Sequence, residues 1–398
     1  MTLTASASHN PVRLNAHIHL PPNFSAFETV AQAVRLAADQ GLCLLGASNY
    51  YDYSVYAEFA DRCRAAGILP LFGLETIALL EDLRDAGIKI NDPGNPGKLY
   101  LCGKGAGRIQ APDSATRALL DTVRGNDSAR MSVMILRLSE VCAAAGIELG
   151  LSEPIIVERI VARHGCAREW VYLQERHLAQ AFQEAIFEAL AGAERAAALE
   201  RLLGSPAKRP DDAVAVQNDL RSHLMKAGKP AFVTETFVGF EHAYRLILGL
   251  GAIPCYPTLA DGANPICAFE ASVDDLIRSI RARGIHCAEL IPIRNRPEVL
   301  TEYVLAMRRA GLVVTGGTEH NTLDLIPLEP RCLGGEAVPD EAQAIFLEGA
   351  CVVAAHQQRV AEGRPGFVAT DGALNPDYPT DEARIAAFAA EGAAQLRL

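Results

Sequence analysis

His17 and His19 are the residues of this 398-residue sequence whose types and spacing point most directly to chemistry. They close the run RLNAHIH at 13–19, which reads as a short β-strand. Residues i and i+2 of a strand project from the same face. Two neutral imidazoles on one face can grip one metal ion, although a lone His-x-His is also ordinary surface. Glu75 stands at the end of the apolar run ILPLFGLE, and Glu319 and His320 follow LVVTGG. Two ring nitrogens and two carboxylates form a donor set suited to zinc, manganese or iron. The expected metal ligands are therefore His17, His19, Glu75 and Glu319, holding one divalent ion per chain. His320 has three readings: a general acid or base, a further ligand, or a hydrogen-bonding residue behind the ligands.

The elements around these residues supply the reason for them to meet. Apolar residues at 26–40 recur at helical spacing and stop at Gly41; LCLLGAS follows as a buried strand, and 54–66 is a helix ended by Gly67. The pattern returns near 239, where helices through 250, near 272–283 and at 297–310 lead into the strands AIPCYPT, HCAELIPI and LVVTGG. Short strands separated by amphipathic helices predict an α/β fold with a parallel sheet or barrel inside a layer of helices. In a barrel the C-terminal ends of the strands share one mouth, and the two histidines and two glutamates all stand at such ends.

The middle of the chain is helical in period almost throughout, so the expected organisation is a first barrel segment at 1–110, a helical insertion at 111–228, and a second barrel segment with a C-terminal helix at 229–398. The stretch 338–361 reads as a final packing helix.

Further candidates sit near the same rim. Arg294 and Arg296 follow HCAELIPI in a short loop, and their forked donors suit phosphate or carboxylate, although exposed loop arginines are common. Asp261 and Asn264 read as turn residues beside Gly262. Lys104 lies in LCGKGAG, a weak anion-binding signal. His9, His164, His223, His242, His286 and His356 have no comparable setting.

Composition narrows the function further. Net charge is −11 and no segment is strongly basic, which speaks against nucleic acid as a partner. The ten cysteines are scattered without a CxxC pair and read as reduced core residues. No apolar run is long enough to cross a membrane, and MTLTASASHN lacks the features of a signal peptide. The cytoplasm is the expected location. Neither a Walker A segment, a GxGxxG fingerprint nor a GxSxG elbow occurs.

The motif segments, taken in order, resemble the PHP (polymerase and histidinol phosphatase) family. Its D-x-H-x-H-T is similar to Asn15-Ala16-His17-Ile18-His19-Leu20, and its T-D-H to Ser48-Asn49-Tyr50. Its G-x-E is matched by Gly73-Leu74-Glu75, its H-x-x-G by Tyr100-Leu101-Cys102-Gly103, its A-H-P by Cys255-Tyr256-Pro257, and its G-G-S-D-x-H by Gly316-Gly317-Thr318-Glu319-His320-Asn321. Arg176-His177 weakly resembles an R-x-H-x-A element of some helical inserts. The resemblance implies a distorted TIM-like (β/α)7 barrel. It also implies one complete metal site, with Glu319 for the usual Asp, and two broken ones, because Tyr50, Tyr100 and Tyr256 stand where the family has histidines and Asn321 stands for the last histidine.

The expected activity is a metal-dependent hydrolase, most plausibly a phosphoesterase, acting on a small phosphorylated molecule through metal-activated water. His320, Tyr50 and Tyr256 are the candidate catalytic residues; Arg294, Arg296 and Tyr100 are the candidate substrate contacts. The tyrosines have a plainer reading as fillers of the space left by missing ligands. The alternatives are a degenerate barrel that acts as a metal-containing binding or regulatory protein, and a one-metal isomerase or lyase. The oligomeric state is not legible.

Overall fold

The computed structural model describes residues 12–396. Strands β1 (Arg13–Ile18), β2 (Leu42–Ala47) and β3 (Leu69–Leu79) are separated by helices α1 (Val30–Asp39) and α2 (Tyr56–Ala65), and a short α3 (Glu81–Asp85) leads to β4 (Lys98–Lys104). Five helices follow: α4 (Ser114–Ala144), α5 (Glu153–His164), α6 (Glu175–Ala189), α7 (Gly192–Leu203) and α8 (Ala213–Leu220). The chain returns through β5 (Val238–Gly239), α9 (Phe240–Gly249), β6 (Ile253–Thr258), α10 (Val273–Arg281), β7 (Cys287–Leu290), α11 (Pro297–Arg309) and β8 (Val313–Gly316). Helices α12 (Asp340–Ala361) and α13 (Asp381–Ala393) complete it.

Local sequence accounts for these elements. In α1 the buried residues Val30, Ala33, Val34 and Ala37 form one face, and the Thr29 side chain caps the helix by accepting from the Gln32 N–H. Strand β2 is an almost unbroken apolar run, as a strand covered on both sides requires.

The strand order β1-β2-β3-β4-β6-β7-β8 is a path of seven strands, with β5 beside β3. Ile18 bridges Glu319 in parallel register. The His19 N–H donates to the Glu319 carbonyl at 2.8 Å, which brings the ends of the path together. The result is a nearly closed, TIM-like α/β barrel. Gly317 permits this closure, because a Cβ there would lie 2.4 Å from the Cβ of His17. One expectation changes: β4 runs antiparallel to both β3 and β6. The link from β3 to β4 carries only the five-residue α3 and no full crossover helix, and β4 folds back along β3 as an antiparallel neighbour.

Two hydrophobic cores form. The larger fills the barrel and its helical coat; the second lies among the middle helices and includes Met134, Leu138, Ile156, Phe182 and Leu199. Helix α4 serves both, with Leu120 and Val123 in the first and Met131 onward in the second. Among the described residues no helix is long and apolar enough to cross a membrane.

Candidate metal centre

His17 and His19, at the end of β1, and Glu75, within β3, meet at the barrel mouth. His17 Nε2 lies 3.4 Å from His19 Nε2, and Glu75 Oε2 lies 3.7 Å and 3.2 Å from these two nitrogens. A four-coordinate zinc-like ion with bonds of about 2.0–2.1 Å has ligand–ligand edges of about 3.3–3.4 Å. The triangle matches that size.

The surroundings fix the form of His17. Its Nδ1 lies 2.7 Å from Oε1 of the fully buried Glu289 on β7. Lys104 Nζ contacts the other oxygen of Glu289. Burial pushes the Glu289 carboxyl up, but His17 and Lys104 outweigh it and hold it below the usual carboxylate range. Burial likewise opposes the Lys104 charge, and Glu289 restores it. An ionised Glu289 accepts hydrogen bonds only, so Nδ1 of His17 carries the proton and Nε2 turns a lone pair into the triangle. A carboxylate behind a ligating histidine is the arrangement that orients imidazole on a metal.

A metal also explains a buried orphan. Glu75 Oε2 is buried and lacks a hydrogen-bond partner. A buried carboxylate oxygen without a donor is costly, and a divalent cation would complete it. The residues present fit a metal ion held by His17, His19 and Glu75.

Glu319 is placed differently from the other three expected ligands. Arg294 Nη1 donates to its Oε1 at 2.9 Å, Arg294 Nη2 contacts Oε2, and Asn321 Nδ2 donates to Oε2 at 2.6 Å. Burial raises the Glu319 carboxyl, but Arg294 and then the two histidines outweigh it, so it is held low. Glu319 and His320 are also adjacent non-glycine residues with left-handed φ of 61° and 51°, a strained conformation of the kind that collects at functional sites.

The other expected residues divide. Tyr50, Tyr100 and Arg294 line the same cavity of about 480 Å³ as His19, Glu75 and Glu319, a size suited to a small molecule. The Tyr50 ring stacks on His19 with centroids 5.5 Å apart. Burial first, then Glu75 and Tyr100, push the Tyr50 phenol well above its ordinary pKa, so it stays protonated and acts as a hydrogen-bond donor.

Tyr256 is corrected to a core residue. Its strand position turns the ring away from the cavity, where its hydroxyl donates to buried Glu270 at 2.8 Å. His320 is likewise corrected, since both ring nitrogens are engaged, Nδ1 with the Thr318 hydroxyl at 2.6 Å and Nε2 with the Ile326 carbonyl at 3.0 Å. Its ring stacks on Phe27, and burial pushes its pKa down to about 4. Arg296 points out of the cavity to Asp261 at 3.0 Å. Asp261 thus fixes a loop, in keeping with its turn reading.

Sequence reasoning missed Glu289 and under-read Lys104. Both carry a signal: an acid inside the apolar strand CAEL and a lysine ending the apolar strand LYLCGK. Such charges need partners when buried.

No protein-family model matches the chain. No curated protein sequence matches it. Solved structures do. A protein from Bifidobacterium adolescentis, provisionally described as a metal-dependent phosphoesterase, aligns with a TM-score of 0.57 at 16% identity, covering 85% of this chain and 97% of its own. An amidohydrolase from Chromobacterium violaceum, with bound sulfate and no metal, aligns with a TM-score of 0.51 at 16% identity, covering 84% of this chain and 97% of its own. The likeness establishes the fold, a TIM-like α/β barrel.

Proposed function

We propose that the chain is a metal-dependent hydrolase of PHP type, acting as a phosphoesterase on a small phosphorylated molecule. The observation that carries this reading is the His17–His19–Glu75 triangle, with His17 fixed by Glu289, opening into a cavity of about 480 Å³. When bound, a divalent ion there supplies a Lewis acid for a phosphoryl oxygen and acidifies a water.

The chain's own residues do the rest. His17 and His19 offer neutral nitrogens, and Glu75 offers the anionic charge that a divalent ion needs. Glu289 and Lys104 hold His17 in its ligating tautomer. Tyr50 keeps its proton and can donate to charge developing on the substrate. Arg294 brings a guanidinium to the cavity wall and neutralises Glu319, so substrate anion meets less repulsion. With three ligands converging, coordination positions remain for water and substrate, as catalytic sites require.

The test is metal content by elemental mass spectrometry on purified protein, beside His17→Ala and Glu75→Gln variants, followed by a phosphoester screen. About one zinc, manganese or iron per chain, lost in both variants, with turnover on at least one ester, is the expected outcome. Metal without turnover on any ester would favour a metal-containing binding protein. No metal after growth and purification in supplemented medium would sink the mechanism.

A further inference from the structure

The cavity is lined by more cations than its own acids satisfy. Lys98 pairs with Asp92 at 3.1 Å and Glu235 at 3.0 Å. Arg130 pairs with Asp127 and Glu175, each at 3.1 Å, and Lys226 reaches Glu175 at 2.7 Å. Arg294 is taken by Glu319. Two arginines from the middle helices remain.

Arg176 has no ion-pair or hydrogen-bond partner among the described residues; its guanidinium lies 6.0 Å from the Phe24 ring centroid. The acid nearest to Arg221 is Glu175 at 3.9 Å, already shared by Arg130 and Lys226, and the Arg221 Nε is buried without a partner. Burial first, then the charge of Arg221, push the Arg176 pKa down to about 10. Arg176 also sits in the first turn of α6, where the helix dipole already favours an anion. Neighbouring cations without counter-charge are destabilising in a folded chain.

We propose that Arg176 and Arg221 form an oxyanion subsite for a second anionic group on the substrate, a phosphate or a carboxylate. The two lie in the same cavity as His19, Glu75 and Arg294. The substrate class is then a small phosphoester that carries another oxyanion, one end at the metal centre and the other on the middle helices. That assignment rests on the hydrolase reading, but binding of an anion by the two arginines does not. The planar forks of arginine suit both anions, so the probes must separate them.

The experiment is calorimetric titration of the full chain, stripped of metal, with inorganic phosphate and separately with acetate. Wild type, Arg176→Ala, Arg221→Ala and His17→Ala are compared, each checked by thermal melting. Phosphate is expected to bind wild type and His17→Ala equally, and to bind each arginine variant at least about tenfold more weakly. Heat with phosphate but not acetate assigns a phosphate subsite; the reverse assigns a carboxylate. Without anion, Arg176→Ala is expected to melt no lower than wild type, because it removes an unpartnered charge. A destabilised Arg176→Ala would mean that the residue is structural. The proposal is overturned if neither anion binds, if affinity survives in the arginine variants, or if it disappears in His17→Ala. Arg176→Lys, which keeps charge but loses the fork, is expected to fall between. None of these readouts requires turnover, so loss of the hydrolase reading would leave them intact.

Discussion

Arg294 holds both carboxylate oxygens of Glu319, one of them at 2.9 Å from Nη1. This pairing separates Glu319 from the three side chains that converge, since a carboxylate neutralised by guanidinium is a weaker ligand than Glu75, whose Oε2 has no hydrogen-bond donor. Glu319→Gln is therefore expected to retain about one metal per chain, whereas Glu75→Gln loses affinity by more than about a hundredfold. Arg294→Ala, which frees Glu319 and removes a nearby cation, is expected to bind metal more tightly while weakening anionic substrate. Equilibrium metal titration with a competing chelator checks all three. Equal losses in Glu75→Gln and Glu319→Gln would restore a four-ligand site.

Behind the triangle, Glu289 joins His17 to Lys104. Glu289→Gln leaves an ammonium buried without its counter-charge, at a cost of about 3–5 kcal/mol. It also releases His17 from its tautomer, at a cost of about 10- to 100-fold in metal affinity. Replacing both partners, Glu289→Gln with Lys104→Met, is expected to recover most of the stability and little of the affinity. Urea unfolding and metal titration separate the two effects. Recovery of both together would reduce the pair to a packing element.

What was legible in the sequence follows from the range of the forces involved. His17 and His19 could be read because the two-residue period of a strand is local, and Glu75 because strand ends share a mouth in any barrel. The Lys104–Glu289 pair joins β4 to β7, with β6 lying between them, and no local pattern encodes that reach. Tyr256 enters the expected site by its position in a motif and His320 by following the strand LVVTGG, yet one turns to Glu270 and the other to Thr318 and Ile326. The direction of a side chain beside a bend or a left-handed residue is set by tertiary packing. The antiparallel β4 was missed for a related reason: its Gly-rich end reads as a loop, and its pairing depends on strands far apart in the chain. Helix α4 shows the limit of composition, since its helical period was plain but its division between two cores was not.

The two tyrosines that differ in placement should differ in effect. Tyr50→Phe removes a hydroxyl from the cavity wall beside Glu75 and is expected to lower kcat by about tenfold or more with little loss of stability. Tyr256→Phe deprives buried Glu270 of one donor and is expected to cost about 1–3 kcal/mol in stability while leaving kcat near wild type. Steady-state kinetics and thermal melting on the same preparations give both numbers. If Tyr256→Phe loses turnover and keeps its stability, the ring faces substrate after all.

Acid should unfold the protein partly through His356, on α12 and away from the metal centre. Its Nε2 donates to the Gly251 carbonyl at 3.1 Å, and its Nδ1 accepts from the Phe367 N–H at 2.9 Å. An imidazolium has no lone pair for the second bond, and burial pushes the pKa from 6.5 down to about 4. The unfolded chain therefore binds this proton more readily than the folded one between those values. Stability is full above pH ~6.5 and is lost as pH falls through the folded pKa, by about 3 kcal/mol in total and about 2 kcal/mol by pH 5. His356→Gln cannot titrate. It is expected to be less stable than wild type at pH 7.5 and to lose less on acidification, with a residual slope from the buried, neutral His177 and His320, whose pKa values are also depressed. Urea unfolding at pH 7.5 and pH 5 measures both slopes, and an unchanged slope in the variant would exclude His356 as a source of acid sensitivity.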